Sequence, residues 1–309
     1  MNASRPTVIA VAVFAATAFA FPVDPARAAD TQNPLDLVEP ARIQALGGAA
    51  AALDRDPTAV WLNPAAPCGS GRTVTLGGQR GFIDDQTWLV SGAAPAGPLT
   101  LGAGIAYYDS GSVMLRATDG GARRVSGQRD VLALANAGVS FGDAVRVGAS
   151  AKLLRSDLLD QFHATTVAGD AGVVVRPAQD LAAGVSLLNV GRRVRYEDQR
   201  VPLPAALRAG GSAGTPIEGE GGLSPDRLAA FVDAVWLIRE HRVEWRGGVE
   251  AGWTETLAAR AGVSPARGES TWHAALGVGV LFGKLRIDYA IQLSGPSTLP
   301  QVLSLTMRM

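Results

Sequence analysis

Few residues in this chain have the type and spacing to do covalent chemistry. His163, His241 and His273 stand in separate segments, none with a second histidine four residues on or a cysteine nearby, so no metal site is expected. Cys68 is the only cysteine; it has no intramolecular disulfide partner and reads as a passive thiol. Glu244 and Glu250 share one face of an extended segment, where six residues of strand set them roughly 20 Å apart. The carboxylate pair of a glycosidase sits within about 10 Å. Gly277-Val278-Gly279 lies inside an alternating stretch with no helix after it, so it is not a dinucleotide loop. No spacing gives His163 or His273 both a nucleophile and a polar partner. Neither an enzyme nor a cofactor is expected.

What remains is a set of charges at alternate positions: Lys152, Asp170, Asp233, Glu244, Arg246, Glu250, Arg260, Arg286 and Asp288. Each lies opposite apolar residues in a run of period two. Leu285, Ile287, Tyr289, Ile291 and Leu293 alternate with Lys284, Arg286, Asp288, Ala290 and Gln292. Trp272, Ala274, Leu276, Val278, Val280 and Phe282 alternate with His273, Ala275, Gly277 and Gly279. Such alternation means strands with one apolar face and one small or polar face. A β-sandwich or a lipocalin-like barrel would also alternate, but these charges would be costly in a dry core. They are tolerated in a wet lumen, or where they pair with one another. Aromatics near strand ends (Tyr107, Trp253, Trp272, Phe282) fit the interfacial girdles of a membrane barrel.

The pattern predicts strands over 72–80, 86–95, 98–108, 129–141, 144–156, 162–175, 181–190, 205–213, 227–238, 242–253, 256–264, 270–282, 284–294 and 300–309. That is fourteen, in segments of about the ten residues that a tilted membrane strand needs. Connections 109–128, 191–204 and 266–269 fall on the expected external side, and Gly142-Asp143, Glu255 and Gly283 on the short-turn side. The segment 215–226 breaks the rule: it is long and Gly-rich on the short side, so either that loop is special or the count is off by one strand nearby.

Bulk properties agree with this class. The 309 residues carry zero formal net charge, 47% apolar and 18% charged residues, and 37 glycines. Nucleic-acid binders leave a basic patch, so no nucleic acid is expected as a partner. No run reaches the roughly 18 apolar residues of a membrane helix, which leaves the β-barrel open. Arg5, the apolar run 7–21 and Ala26-Arg27-Ala28 read as a cleaved leader over 1–28, and so as export to a bacterial outer membrane. The last strand sets Leu303, Leu305, Met307 and Met309 on one face, against Ser304, Thr306 and Arg308. It ends in methionine where many outer-membrane barrels end in an aromatic residue.

One segment is neither leader nor strand. Ala41 to Ala66 is almost entirely small and apolar, with Ala45 to Asp54 reading ALGGAAAALD. Such a run needs a close, enclosing surface, and a barrel supplies one. Asp54 and Asp56 can cap or turn the chain. Asn63-Pro64 suits either a helix start or a turn.

From Gly47 to Ala66 the sequence resembles the N-terminal signature of FadL-like outer-membrane barrels: a Gly/Ala run with Gly47 and Gly48, an acidic pair in Asp54 and Asp56, then Asn63-Pro64-Ala65. Within that group the chain most resembles the PorV/PorQ family, with support from Asp170-Ala171-Gly172, Asn189-Val190-Gly191, Leu203-Pro204-Ala205 and Gly248-Val249-Glu250. The resemblance implies a fourteen-stranded barrel (71–309) whose lumen holds an N-terminal hatch (29–70). It implies outer-membrane lipid as surroundings, and one of two roles, beside which a plugged structural barrel with no transport role stays open. A FadL-like barrel passes a hydrophobic small molecule; a PorV-like barrel docks exported proteins for secretion, with 109–128 and 191–204 as contact surfaces. The chain is shorter than FadL, and its external loops are short for a large fatty-acid site.

Overall fold

The computed structural model describes Leu35 and residues 38–81, 84–116, 121–197, 199–217, 224–265, 272–293 and 299–309. The leader expected over 1–28 and the loop expected at 266–269 lie outside the described residues.

Fourteen antiparallel strands close into one barrel. They are β1 (Thr73–Arg80), β2 (Gln86–Ala96), β3 (Leu99–Asp109), β6 (Gln128–Phe141), β7 (Val145–Leu158), β8 (Phe162–Ala178), β9 (Leu181–Gly191), β12 (Ala206–Pro216), β13 (Arg227–Leu237), β14 (Arg242–Trp253), β15 (Leu257–Pro265), β16 (Trp272–Phe282), β17 (Leu285–Leu293) and β18 (Gln301–Arg308). Neighbours in sequence pair in order round the wall. β1 closes on β18, from Thr73 opposite Arg308 to Arg80 opposite Gln301. All fourteen expected strands correspond to these, with β8 and β12 extending three residues further, to Ala178 and Pro216.

Two short hairpins stand outside the ladder. β4 (Ser112–Arg116) pairs with β5 (Ala122–Ser126), and β10 (Val194–Tyr196) with β11 (Gln199–Val201). Both rise from the same end of the barrel, here the loop end. At the opposite, turn end, β6–β7, β14–β15 and β16–β17 are joined by tight turns; Gly142 and Gly283 supply the positive φ they need. The connection after β12 is also at the turn end, and β12 pairs with β13 from Ala206–Leu237 down to Pro216–Arg227. The strand count is therefore right, and that loop is a real long connection.

Period two sorts the side chains. Leu76, Trp88, Ile105, Leu153, Val167, Leu276 and Leu303 are exposed on the outer wall, while their strand neighbours turn inward and are buried. Phe141 and Phe282 lie outward at the turn end, Trp88 and Trp236 toward the loop end. A closed ladder with an apolar outer belt leaves no strand edge and no polar backbone facing hydrocarbon, the condition for spanning a bilayer with strands. Among the described residues no helix is long and apolar enough to cross a membrane.

Candidate functional site

The lumen is filled by the stretch from Val38 to Cys68. A short helix, α1 (Ala41–Ala45), packs against β15 to β18. Gly47 and Gly48 end it with φ of 65° and 78°. Gly48 N donates to Ile43 O and Gly47 N to Gln44 O, at 2.9 and 3.0 Å, the pairing that closes a helix through a left-handed glycine. Turns then lead to a 3₁₀ helix at Pro57–Trp61, capped by Asp56, which accepts from Thr58 N at 2.9 Å and Thr58 Oγ1 at 2.6 Å. Asn63-Pro64 starts no helix. Asn63 Oδ1 accepts from Ala65 N at 3.0 Å and Nδ2 donates to Ala51 O at 2.7 Å, so the side chain folds a turn and ties two parts of the stretch together.

The wall facing this segment is built from glycine. Gly104, Gly138, Gly148, Gly172, Gly184, Gly248, Gly262 and Gly277 come from eight different strands. A Cβ on any of them would come closer than 3.0 Å to an atom of the hatch: the Trp61 ring, Cys68 Sγ, Pro64 O, Asn63 Oδ1, Ala51 O, Leu46, Gly47 N and Ala45 Cβ respectively. The small residues of the hatch meet the small residues of the wall, backbone against backbone. From Ala41 to Leu53 the alanines and leucines are almost completely buried.

Charges fix the segment at its turn-end edge. Asp56 pairs with Arg42 and, at 3.4 Å, with Arg286. Arg286 lies 2.8 Å from Asp288, and Asp288 lies 2.8 Å from Arg260. Arg260 lies 2.5 Å from Glu250, and Glu250 lies 3.0 Å from Arg42. Three arginines and three carboxylates thus alternate in a closed, neutral ring, each carboxylate shared by two arginines. The hatch supplies Arg42 and Asp56; β14, β15 and β17 supply the rest. Burial alone would raise the Asp56 carboxyl, but Arg286 and Arg42, with the Thr58 hydrogen bonds, hold it well below the usual carboxylate range.

Further clamps surround the ring. Asp233 accepts from Ala50 N at 2.7 Å and Ala51 N at 3.0 Å and pairs with Arg208 at 2.7 Å; Arg208 Nη1 donates to Gly48 O at 2.5 Å. Lys152 pairs with Asp170 at 2.8 Å and donates to Asn189 Oδ1 at 2.9 Å. Asp54 pairs with Arg146 at 2.7 Å. Arg246 bridges Glu244 and the hatch residue Glu39, at 3.1 and 2.9 Å. Asn136 Nδ2 donates to Pro64 O at 3.0 Å and Ser186 Oγ to Leu62 O at 2.8 Å. Burial pushes the Cys68 thiol above its ordinary value, in keeping with a passive role.

The two ends of the lumen differ. At the turn end a cavity of about 800 Å³ lies under the charge ring, lined by Arg42, Glu250, Arg260 and Arg286, with Glu255, Lys284 and Arg308 at its rim. At the loop end, between β2 and β9, the inner wall carries an apolar cluster among buried polar groups such as Asp130 and Ser156: Leu89, Ala106, Leu132, Leu134, Leu154, Ala164, Ala168 and Leu188 pack with Trp61 of the hatch. Val194 and Leu203 of the 192–205 connection join the same cluster, with Tyr196 and Val201 packed against it. Tyr196 Oη donates to Ser156 Oγ at 2.6 Å and Thr166 Oγ1 to Arg192 O at 2.7 Å, so this hairpin lies over the apolar wall.

Sequence reasoning did not single out Arg42, Arg146 or Arg208. Arg146 and Arg208 stand on the inward face of β7 and β12, and the alternation that found Lys152 would have found them. Arg42 had no such signal, because one arginine in a five-residue helix makes no pattern. The two hairpins were absorbed into loops, since runs of three to five residues are too short for period two to register.

No protein-family model matches this chain, and no curated protein sequence matches it. Solved structures do. The Pseudomonas putida toluene transporter TodX superposes with a TM-score of 0.61 at 15% identity, over 86% of this chain and 97% of TodX. CymD, described as a monoaromatic hydrocarbon channel, gives 0.57 at 14% identity over 90% and 99% of the two chains. A FadL homologue of Pseudomonas aeruginosa gives 0.51 at 14% identity, over 90% and 98%. At these identities the likeness establishes the fold: a closed, FadL-like fourteen-stranded barrel.

Proposed function

We propose that this chain is a non-catalytic outer-membrane barrel that takes up a small hydrophobic molecule at its loop end and passes it across the membrane. One observation carries the reading: in the loop-end half of the lumen, between β2 and β9, leucines and alanines of the wall form one buried apolar cluster with Trp61 of the closely seated hatch. A wet pore would line that half with charge, whereas a site for an apolar solute is lined with apolar side chains and a few polar groups. The fold supports it, since TodX and CymD, which share it, are described as channels for toluene and monoaromatic hydrocarbons.

In this reading 1–28 is a removed leader, 29–70 the hatch and 71–309 the barrel. Gly47, Gly48, Asp54, Asp56, Asn63 and Pro64 hold the hatch, and the inward charges from Lys152 to Asp288 clamp it. The loop end faces outside, and the outer apolar belt meets membrane lipid.

The closeness of the hatch to the glycine wall favours a second reading, a permanently plugged barrel of PorV/PorQ type that docks exported proteins. One cross-link separates the two. Ala41 N donates to Ser304 Oγ at 2.9 Å, so Ala41→Cys with Ser304→Cys, in a Cys68→Ser background, ties hatch to wall on oxidation. Uptake of labelled cumene by intact cells should fall on oxidation and return on reduction. Uptake indifferent to the cross-link means the solute passes without hatch movement. Uptake no greater than in cells lacking the barrel overturns the transport reading and leaves docking or a plugged structural barrel.

A further inference from the structure

We infer that Lys152 is a positioning residue that ties the seated hatch to the loop-end hairpin β10–β11, so that the two covers of the lumen loosen together. The inference rests on the uptake reading above, which makes those two elements the barriers to passage, and adds the link between them.

Lys152 stands on the inward face of β7 and is 3% exposed. Its ammonium meets three elements at once. It donates to Trp61 O of the hatch at 3.4 Å and to Asn189 Oδ1 of β9 at 2.9 Å, and it lies 2.8 Å from Asp170 Oδ2 of β8. An ammonium has three donors and no acceptor, so one contact to each element uses all three. Asn189 sits at an irregular point of the wall. Gly169 pairs with Val190 and Ala171 with Leu187, so Asp170 alone opposes both Leu188 and Asn189. The extra residue makes a β-bulge, a device that re-aims a side chain or ends pairing. Asn189 takes a φ of 58° there, a left-handed backbone that asparagine tolerates.

Asn189 N donates to Asp170 Oδ1 at 2.7 Å, and Asn189 Nδ2 donates to Pro204 O at 3.3 Å. β12 pairs with β9 no higher than Leu188, so the connection that carries the hairpin leaves the wall at this bulge, and Pro204 lies at its returning end. One side chain thus holds Lys152 at one end and the root of the hairpin connection at the other. The apolar contacts run the same way, since Val194 and Leu203 share a buried cluster with Trp61. A buried donor left idle carries its full desolvation cost. An ammonium that loses Trp61 O therefore re-aims among its remaining partners and disturbs the hold of Asn189 on Pro204. Coupling of this kind is reciprocal: a solute that lifts the hairpin loosens the hatch by the same factor.

The test is hydrogen exchange on the full barrel in nanodiscs with no solute present, so its result does not depend on uptake. Asp288→Asn loosens the hatch through the charge ring, away from Lys152. If it leaves the hatch as protected as before, Gly262→Val, which drives a side chain against Gly47 N, takes its place. With the hatch loosened, the β10–β11 amides should exchange about tenfold faster, within the usual range of coupling between sites. Those of β4–β5, which makes none of these contacts, should not change. Asn189→Gly keeps the left-handed backbone and removes both side-chain contacts. In that background β10–β11 should no longer respond to the loosened hatch. If Asn189→Gly fails to give the heat-shifted gel migration of a folded barrel, Lys152→Met with Asp170→Asn cuts the same link and leaves no buried charge unpaired. A β10–β11 hairpin indifferent to the hatch, or an equal rise in β4–β5, overturns the coupling. A response that persists without the Asn189 side chain assigns it to the apolar cluster and overturns the role of Lys152. A barrel that shows the coupling but takes up no cumene keeps the link and loses the uptake reading.

Discussion

The six side chains of the charge ring show how a neutral chain holds charge in its interior. Removing one member of a buried pair leaves an uncompensated charge and costs about 3–5 kcal/mol. Asp288 is completely buried and shared by Arg260 and Arg286, so Asp288→Asn leaves two cations facing each other. We expect the hatch to loosen: hydrogen exchange of the 41–62 amides should rise by orders of magnitude, with the barrel strands unchanged. Exchange in hatch and wall rising together would show that the ring serves the barrel as a whole. The pH dependence follows from Asp56, whose folded-state carboxyl lies below its ordinary value of 3.8. A depressed carboxylate contributes its full stabilisation above the ordinary value and loses it as the pH falls below. Hatch protection should therefore be flat between about pH 5 and 8 and decline only in stronger acid. A decline beginning near neutrality would point to a different group.

At the scale of elements the glycines of the wall matter more than any strand's apolar face. Gly184 faces the Ala51 carbonyl and Gly172 the Asn63 side chain. In a closed ladder the strand cannot retreat without breaking pairs on both sides, so an added side chain must displace the hatch. Overpacking of this kind costs about 1–3 kcal/mol. Gly184→Val should raise single-channel conductance in planar bilayers and expose residues 45–62 to protease. Gly169→Ala on the outward face, where an added Cβ meets nothing nearer than 3.7 Å, should do neither. The strands were legible because alternation is a repeated signal, and each run of ten residues votes for its own assignment. Lys152, Asp170 and Asp233 declared themselves as polar residues on an otherwise small face. The choice between turn and helix start at Asn63-Pro64, and the partners of Asp56, were not legible. The turn is held by Ala51 and Ala65 within the hatch, where no repeating period marks it, and the wall partner of Asp56, Arg286, lies 230 positions away in the chain. Arg42 shows both distances: Asp56 lies 14 positions on within the hatch, and Glu250 lies 208 positions on in the wall.

For the molecule as a whole, the lumen is divided by sector as well as by depth. β12 to β18 carry most of the charge that grips the hatch, and β2 to β9 carry the apolar wall. The β10–β11 hairpin covers that wall yet contributes nothing to the barrel ladder. Replacing residues 193–201 with a short Gly-Ser turn should leave heat-shifted gel migration intact. It should also bare Leu132 and Leu154, detected as stronger binding of an apolar fluorescent dye. Loss of the heat shift would mean that the hairpin is needed for the barrel to close.

The closure of β1 on β18 completes the wall that the hatch must fit. Eight strands bring a glycine against the hatch, and two of the six charges in the ring, Arg42 and Asp56, belong to the hatch itself. The ring is therefore complete only when hatch and wall are together: without the hatch, Glu250 keeps Arg260 alone and Arg286 keeps Asp288 alone. A wall cut back to glycine on eight strands is shaped for this one occupant, so barrel and hatch share their stability, and a change that loosens one is felt by the other.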